Sequence, residues 1–388
     1  MIPYGKQDIS QQDIDAVIEV LSSDFLTQGP KVPEFESALV SVTQAQYAVA
    51  VNSATSALHI ACLALGVGPG DVIWTSPITF VASANCGLYC GAKIDFVDID
   101  PWTYNMCPKQ LQQKLIKAKA QGTLPKVVIP VHLAGQSCDM KVIYQLSKQY
   151  GFKIIEDASH AIGGKYHQHP IGSCEFADIT VFSFHPVKIV TTAEGGAALT
   201  NSEMLAEKMR LLRSHGITRD PDKMYGPSDG AWYYQQIDLG FNYRMTELQA
   251  ALGISQLTRL EQFIQTRHYF AERYNKMLVN LPVICPYQLE DTYSGLHLYI
   301  IRLELDKITK NHSQVFDELR ESGIGVNLHY IPVYRQPYYQ AMGFDKADFV
   351  ESERYYQEAI SLPMFAAMTD SIQDEVVNVL SLILKSGD

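Results

Sequence analysis

The sequence predicts an α/β protein with a large domain built on a mostly parallel sheet flanked by helices, followed by a small α+β C-terminal domain. Two observations predict this class. Short β-branched runs alternate with helical runs from residue 47 to about residue 200, and strands separated by crossover helices form parallel sheets covered on both faces. The chain has 388 residues, which exceeds the usual size of one domain and favours a large and a smaller one.

The predicted strands and helices of the first part alternate along the chain. Strands are expected at the apolar runs YAVAVN, DVIWTS, KIDFVDI, KVVIPVH, FKIIEDA, DITVFSF and GGAALT. Helices are expected at SALHIACLALG, FVASANCGLYCG, KQLQQKLIKAKAQ and KVIYQLSKQYG. Residues 72–92 carry no formal charge, but their hydroxyl, amide and proline residues favour a buried strand, turn and helix over a membrane span. Ligands of such sheets bind at the carboxyl ends of the strands.

The second part of the chain begins with a long helical pattern. Residues 244–278 predict two long helices with a break near Gly253. After them, HLYIIRLEL predicts a strand, the segment ending in ELRESG a helix, IGVNLHY a further strand, and the remainder two amphipathic helices. We therefore expect a large domain over residues 1–250 and a small C-terminal domain over residues 251–388.

Composition and charge exclude several classes of protein. With 47% hydrophobic and 19% charged residues the chain is typical of globular proteins. Its net charge of -11 argues against nucleic acid or an anionic membrane as the main partner. The N-terminal residues have neither a basic start nor an apolar segment, so we expect a cytoplasmic protein. The seven cysteines include no CxxC and predict reduced thiols, with Cys86 and Cys90 in the core, and no metal site.

The stretch SFHPVKIVTTAEGG is the strongest chemical signal. Lys188 is the only formally charged side chain between residues 179 and 193. A lysine desolvated by apolar neighbours loses proton affinity and becomes an amine nucleophile, as a Schiff base requires. The alternative is a lysine that extends its ammonium into water. Ser183 closes the preceding strand, and Gly195 and Gly196 would allow the backbone to approach a ligand closely.

Two further features follow predicted strands. In VNSATSALHI, free N–H groups and hydroxyls at a helix start form a seat for phosphate, although ordinary N-capping by Ser53 or Thr55 explains them equally. In FKIIEDASHA, Asp157 could hold a cation or cap the next helix, and His160 is more often a hydrogen-bonding residue than a catalyst. Together with Lys188 these features predict a site for pyridoxal 5'-phosphate, with Asp157 on the ring nitrogen.

The same motifs, in fixed order along nearly the whole chain, resemble a known family. They are LTQGP, NSATSALHIA, EDASHAIG, SFHPVKIVTTAEGG, RSHGI, GFNYRMTELQAALG, HYIPVYRQPYY and SLP. The chain resembles the DegT/DnrJ/EryC1/StrS family of sugar aminotransferases, which have the PLP-dependent transferase fold type I. NSATSAL, the SH after Asp157 and TTAEGG resemble the pseudaminic-acid branch of that family. The resemblance implies transfer of an amino group from L-glutamate to C4 of a UDP-linked 4-keto-6-deoxy-N-acetyl hexose, in a homodimer with shared active sites.

The resemblance also implies roles for individual residues. Lys188 and Asp157 would be the catalytic residues, the first bonded to the cofactor's aldehyde and the second paired with its pyridinium nitrogen. The other cofactor contacts it implies are Ala54, Thr55 and Ser183 at the phosphate, Phe80 against the ring, His160 where many relatives have glutamine, and Asn242 from the second subunit. The sugar-nucleotide contacts it implies are Tyr4, Asp24, Phe25, Leu26, Thr27, His329, Tyr330, Ile331 and Pro332.

Two residues that could contact the substrate also have an ordinary structural explanation. Arg219 is a candidate for the diphosphate or a solvated loop arginine. His185 is a candidate for contact with the sugar or a turn residue before Pro186. For Asn242, in LGFNYRMTE, capping of the following helix explains the amide and the neighbouring cation equally well without a function.

Other functions remain open at this point. The enzyme could aminate another nucleotide-linked 4-keto sugar, of the bacillosamine, legionaminic or perosamine type. A PLP-dependent sugar dehydratase is less favoured, because in those relatives a histidine replaces the lysine that is present here as Lys188. A non-catalytic regulator that binds PLP or a nucleotide sugar would not need the lysine and the carboxylate. A dinucleotide-binding dehydrogenase is poorly supported, since GVGPGD lacks the GxGxxG spacing and follows a helix.

Overall fold

The computed structural model describes residues 1–385 and is centred on a seven-stranded sheet. Its strands are β1 (Tyr47–Val51), β2 (Val72–Thr75), β3 (Lys93–Phe96), β4 (Val127–Ile129), β5 (Lys153–Asp157), β6 (Ile179–Ser183) and β7 (Gly196–Thr200). They lie in the order β1-β7-β6-β5-β4-β2-β3. Strand β7 is antiparallel to both of its neighbours and all other pairs are parallel. The predicted α/β class with a mostly parallel sheet is confirmed.

Helices cover both faces of this sheet, and others pack in the C-terminal part. The helices of residues 1–385 are α1 (Gln11–Leu21), α2 (Lys31–Thr43), α3 (Ala54–Ala64), α4 (Ala82–Tyr89), α5 (Pro108–Gln121), α6 (Met140–Tyr150), α7 (Glu203–Arg213), α8 (Glu247–Leu257), α9 (Leu260–Met277), α10 (His312–Glu321), α11 (Pro337–Gln340), α12 (Val350–Glu358) and α13 (Asp370–Lys385). Alternate residues of β1 enter different cores: Val49 and Val51 pack with α3, α4 and α7, and Ala48 and Ala50 with α2 and α8. This two-residue period is what a strand buried on both faces requires.

The charge-free run at residues 72–92 forms β2 and then α4, as predicted. Cys86 and Cys90 are buried free thiols, which was also predicted. Among residues 1–385, no helix is long and apolar enough to cross a membrane. The same residues contain no group of three or more histidines, cysteines or carboxylates placed to hold a metal ion.

The C-terminal part contains a three-stranded sheet of its own. Its strands are β8 (Val283–Ile284), β9 (Tyr299–Leu303) and β10 (Ala359–Leu362), in the order β8-β9-β10. Helix α9 joins two cores, because Phe263 packs with α2 and α8 whereas Tyr274 packs with α10 and α13. The domain division at residue 250 stays a prediction, and residues 386–388 of the predicted small domain lie outside the described residues.

Shorter elements connect these layers. Two-residue strands lie at Lys165–Tyr166, His169–Pro170, Ile217–Thr218, Gln235–Gln236 and Thr292–Tyr293, and 3-10 turns at Leu133–Gly135, Pro221–Lys223, Val333–Arg335 and Lys346–Asp348.

Two element predictions were wrong. The break between the long helices lies at residues 258–259, and Gly253 is buried inside α8, where a Cβ would lie only 2.6 Å from the Phe35 ring. The glycine therefore allows close helix packing and does not end the helix. IGVNLHY forms only isolated bridges, at Ile324 with Ile2 and at Asn327 with Ser361, because this segment runs between the N-terminal residues and β10.

Candidate active site

Lys188 lies in the loop that joins β6 to β7, at the carboxyl end of β6. The loop is closed by backbone hydrogen bonds from Thr192 N to Phe184 O (3.0 Å) and from Phe184 N to Gly195 O (2.9 Å). Lys188 is half-buried. Burial lowers its pKa to about 8, although the nearby carboxylate of Asp157 opposes the change. The free amine is therefore accessible much nearer to neutral pH than in an exposed lysine.

Asp157 ends β5, which is paired in parallel with β6, and its carboxylate is buried. Oδ1 accepts hydrogen bonds from the backbone N (3.2 Å) and Oγ (2.6 Å) of Ser159. Oδ2 accepts one from Ser83 Oγ at 2.6 Å, and Ser83 lies 2.8 Å from the hydroxyl of Thr79. These bonds fix the orientation of the carboxylate beside Lys188. No sequence motif indicated Ser83, which lies 74 residues from Asp157 in the chain.

The start of α3 forms a candidate anion seat next to Ser183. Strand pairing places Ser183 opposite Gly196. A Cβ on Gly196 would lie 2.6 Å from the carbonyl oxygen of Ser53, so only glycine lets β7 approach α3 so closely. Ser53 caps α3 by accepting a hydrogen bond from Ser56 N (3.1 Å), as one alternative predicted. The N–H groups of Ala54 and Thr55 form no hydrogen bond among residues 1–385, which suits a phosphate.

His160 is a neutral, fully bonded residue of the same pocket. The backbone N–H of Ala134 donates to its Nδ1 (3.2 Å), so the ring proton lies on Nε2, which is 3.1 Å from the hydroxyl of Tyr330. Burial holds the pKa of His160 well below its usual value, and the neighbouring ionisable groups of Lys188 and His329 lower it further. The ring of His160 therefore donates from Nε2 to the hydroxyl of Tyr330 and carries no charge.

The segment from His329 to Pro332 lies over this pocket from the C-terminal part. His329 is buried and pairs its Nδ1 with Ser361 Oγ at 2.8 Å, and burial lowers its pKa to about 3. The ring of Tyr4 lies 5.1 Å from that of His329. Of the rest of this segment, Pro332 is buried and Ile331 is exposed. The N-terminal residue Tyr4 and this segment thus meet at one place.

Phe80 is an aromatic side chain left open to solvent at the edge of the pocket. It is 59% exposed, and its ring lies 6.3 Å from that of Tyr330. An aromatic ring of this kind, left uncovered near the ring of Tyr330, is suited to lie against a planar ligand. Hydrogen bonds, ring contacts and charge interactions therefore connect Lys188, Asp157, His160, His329 and Tyr330, with Phe80 and Tyr4 beside them.

Other predicted residues are not brought to the pocket within one chain. The segment from Asp24 to Thr27 is exposed, and its Leu26 O accepts a hydrogen bond from Glu247 N (3.1 Å) at the start of α8. Arg219 is exposed and lies over the ring of Tyr234. Asn242 is exposed, and its carbonyl lies 3.5 Å from the side-chain amide of Asn52. His185 is exposed; its backbone N–H donates to Ser183 Oγ (3.5 Å) and its carbonyl accepts from Lys188 N (2.9 Å).

The fold and this pocket define an aminotransferase. The sequence model of the DegT/DnrJ/EryC1/StrS aminotransferase family matches residues 7–381, and the chain belongs to this family. The recognition made from the sequence motifs is confirmed. Membership also makes the chain an enzyme, which disfavours a purely regulatory binding protein.

Similar proteins span the whole chain. The spore coat polysaccharide biosynthesis protein SpsC of Bacillus subtilis is 39% identical, with 100% of this chain and 98% of SpsC covered. The UDP-4-amino-4,6-dideoxy-N-acetyl-beta-L-altrosamine transaminase of Campylobacter jejuni is 36% identical, with 99% of each covered.

Solved structures of sugar aminotransferases also match nearly the whole chain. Helicobacter pylori PseC, an aminotransferase involved in the biosynthesis of pseudoaminic acid, is 32% identical, covers 99% of each chain and has a TM-score of 0.90. Spr1654 from Streptococcus pneumoniae is 30% identical and was solved in a PMP form (TM-score 0.88, 99% of each chain) and a PLP form (TM-score 0.87, 98% of each chain).

Proposed function

We propose that this chain transfers an amino group from L-glutamate to C4 of a UDP-linked 4-keto-6-deoxy-N-acetyl hexose in pseudaminic acid biosynthesis. The lysine and carboxylate pair, Lys188 and Asp157, is the observation that carries the aminotransferase chemistry. The altrosamine transaminase from Campylobacter at 36% identity and the PseC structure at 32% support this choice of sugar. SpsC, at 39% identity, keeps open the alternative of another nucleotide-linked 4-keto sugar.

Pyridoxal phosphate as the cofactor is confirmed by family membership and by the PLP and PMP forms of Spr1654. The residues present fit this group. The unbonded N–H groups at the start of α3, together with Ser183, would hold the phosphate. Phe80 would lie against the ring, and the neutral His160, whose Nε2 lies 3.1 Å from the hydroxyl of Tyr330, would contact the cofactor beside it. Asp157, fixed by Ser83 and Ser159, would pair with the ring nitrogen.

Lys188 is proposed to move the proton in both halves of the reaction. When bound, the cofactor supplies an aldehyde that takes up the amino group and a ring that accepts the electrons released with the donor's α-proton. With a pKa of about 8, the amine of Lys188 can accept a proton and return it near neutral pH. Overall, glutamate exchanges its amino group for oxygen and leaves as 2-oxoglutarate, while the sugar ketone exchanges its oxygen for the amino group.

The pocket walls are proposed to bind the sugar nucleotide. Tyr4 and the segment from His329 to Pro332 lie over the site and would contact the substrate. A sugar dehydratase is the less favoured alternative, because Lys188 occupies the position at which dehydratases of the family carry histidine.

A homodimer would bring in the predicted residues that one chain leaves outside the pocket. The region from residue 219 to 242 exposes Tyr225, Trp232 and Leu239, and exposed apolar groups of this kind are typical of protein interfaces. We therefore propose that Asn242 reaches the phosphate site of a second copy. Arg219 and the segment from Asp24 to Thr27 would contact the diphosphate and sugar at the same interface.

The substrate assignment is tested by offering both C5 epimers of the UDP-linked 4-keto-6-deoxy-N-acetyl sugar to the PLP-loaded protein with L-glutamate. The aminated sugar is detected by mass spectrometry. Amination of the altro-type ketone is expected. Preference for the gluco-type ketone would contradict the pseudaminic assignment and leave the sugar aminotransferase activity standing.

A further inference from the structure

His297 lies in the wall of the active-site pocket, in the turn that precedes β9. Its ring centroid is 4.6 Å from that of His160. Burial first, and then the neighbouring ionisable groups of His160, Lys188, Arg267 and His329, hold its pKa well below its usual value. The sequence motifs assigned no role to it. The ring is thus a neutral imidazole close to the predicted catalytic lysine.

The hydrogen bonding of His297 differs from that of its neighbours. Nδ1 of His297 is enclosed by protein and has no hydrogen-bond partner among residues 1–385, and no hydrogen bond involves its Nε2. In contrast, His160 and His329 each bond through both ring nitrogens. An unpaired buried polar group is destabilising, so leucine or phenylalanine would serve better for packing alone. The imidazole therefore indicates a partner that joins it during the reaction, and with Nδ1 enclosed this partner must reach Nε2.

The backbone of this turn is held in place by a buried arginine. Arg267 is fully buried and donates from Nη1 to the carbonyls of Leu296 (3.2 Å), His297 (3.0 Å) and Met364 (3.3 Å). Within residues 1–385 it forms no ion pair. On the other side, Leu298 N donates to Ala134 O at 3.3 Å. The ring of His297 is thus mounted on a fixed turn, as a contact that sets affinity requires.

The charges around His297 favour an anionic ligand. Lys188 and Arg267 both act on its ring as positive charges. The nearby carboxylate, Asp157, already accepts three hydrogen bonds from serine groups. A ligand that meets a neutral N–H beside two cations is stabilised when it carries negative charge. The amino-group donor carries carboxylates and reacts at this lysine.

We propose that His297 donates a hydrogen bond from Nε2 to a carboxylate of the amino-group donor and thereby sets the affinity for the donor. This inference rests on the proposed function, because it takes the Lys188 pocket as the place where the donor binds. It adds a substrate-binding residue for the first half of the reaction.

Glutarate, a dicarboxylate without an amine, is the probe, and its binding to the PLP-loaded protein is measured by isothermal titration calorimetry. His297→Phe should weaken glutarate binding about tenfold or more, since a hydrogen bond to a charged group is lost. His297→Gln places an amide near the Nε2 position and should retain most of the affinity, whereas the shorter side chain of His297→Asn should not. His268 provides a matched control: its Nε2 bonds Ser294 O (2.8 Å) in the same turn, and His268→Phe should bind glutarate within about twofold of wild type.

Kinetics separate a direct contact from a structural role. In His297→Phe, the KM for glutamate should rise by a factor similar to the loss of glutarate affinity, with a smaller change in kcat and an unchanged affinity for the sugar nucleotide. Wild-type glutarate binding by His297→Phe, or an equal loss in His268→Phe, would overturn the proposal. If His297→Phe does not fold, equal affinities of the Gln and Asn variants would overturn it.

The proposed function has its own outcome in the same experiment. Wild-type protein that is not converted by glutamate to the PMP form would contradict the proposed function. Wild-type conversion together with an unaffected His297→Phe variant would contradict the role of His297 alone.

Discussion

Replacing Lys188 with methionine should stabilise the cofactor-free protein while it abolishes activity. Burial lowers the pKa of Lys188 from 10.5 to about 8, which means that the native protein binds this proton more weakly than the unfolded chain does. The difference corresponds to roughly 3 kcal/mol, at about 1.36 kcal/mol for each pH unit. Because the side chain is only half-buried, we expect a gain of about 2 to 3 kcal/mol for Lys188→Met at pH 7.

The pH dependence of this gain gives the sharper test. Below pH 8 the lysine is charged in both states and its burial destabilises the native protein. As the pH rises from 8 to 10.5 the native amine loses its proton first, so the wild type gains stability relative to the variant. Above 10.5 both states are neutral and the difference should nearly vanish.

Urea unfolding of both cofactor-free proteins, followed by circular dichroism at pH 7 and pH 10.5, measures the difference directly. Other titrating groups are common to the two proteins and cancel. Equal stability at pH 7, or a gain that does not shrink with pH, would refute the idea that Lys188 is desolvated.

Three further predictions concern the groups around this lysine. Asp157→Asn should lower turnover about a hundredfold or more in steady-state assays, because the ring nitrogen of the cofactor loses its charged partner. A near wild-type kcat would contradict that role. Ser83→Ala, which removes one hydrogen bond to this carboxylate, should give a much smaller loss of turnover. Gly196→Ala should weaken PLP binding in equilibrium titrations, because the added Cβ forces β7 away from α3. Gly68→Ala is the control, since a Cβ at Gly68 meets open space, and it should bind PLP as the wild type does. Equal PLP affinities of Gly196→Ala and the wild type would count against the anion seat. His329 has a pKa of about 3, below the unfolded value of about 6.5, so its folded form resists protonation. The free energy of unfolding should therefore fall by about 1 kcal/mol per pH unit below 6.5, and urea unfolding of His329→Gln should show a shallower fall than the wild type; parallel pH profiles would refute this.

Much of the fold was predictable because its elements follow local patterns. Alternating apolar runs and amphipathic segments predicted each strand of the central sheet, and the strand ends placed Asp157 and Ser183 at one edge. Gly253 was misread because a glycine in a helical pattern does not reveal whether it ends the helix or admits a neighbouring ring. Only the folded chain brings Phe35 against it.

The site was less predictable where contacts are distant in sequence. Ser83 and Asp157 are far apart in the chain, and no spacing rule joins them. His297 lies in a stretch that reads as an ordinary strand start, and its missing hydrogen bonds are visible only in three dimensions. Asn242 has a local explanation as a residue before a helix, and its proposed partner belongs to another copy of the chain.

The central claim is that Lys188 moves the proton in an amino-group transfer from glutamate. The most direct measurement is a single-turnover experiment in which L-glutamate is added to PLP-loaded wild type and to Lys188→Ala, with absorbance and released 2-oxoglutarate followed together. Wild type should change to the PMP form with about one 2-oxoglutarate per site, and the variant should barely react. A variant that reacts at the wild-type rate would contradict the role of Lys188 in proton transfer.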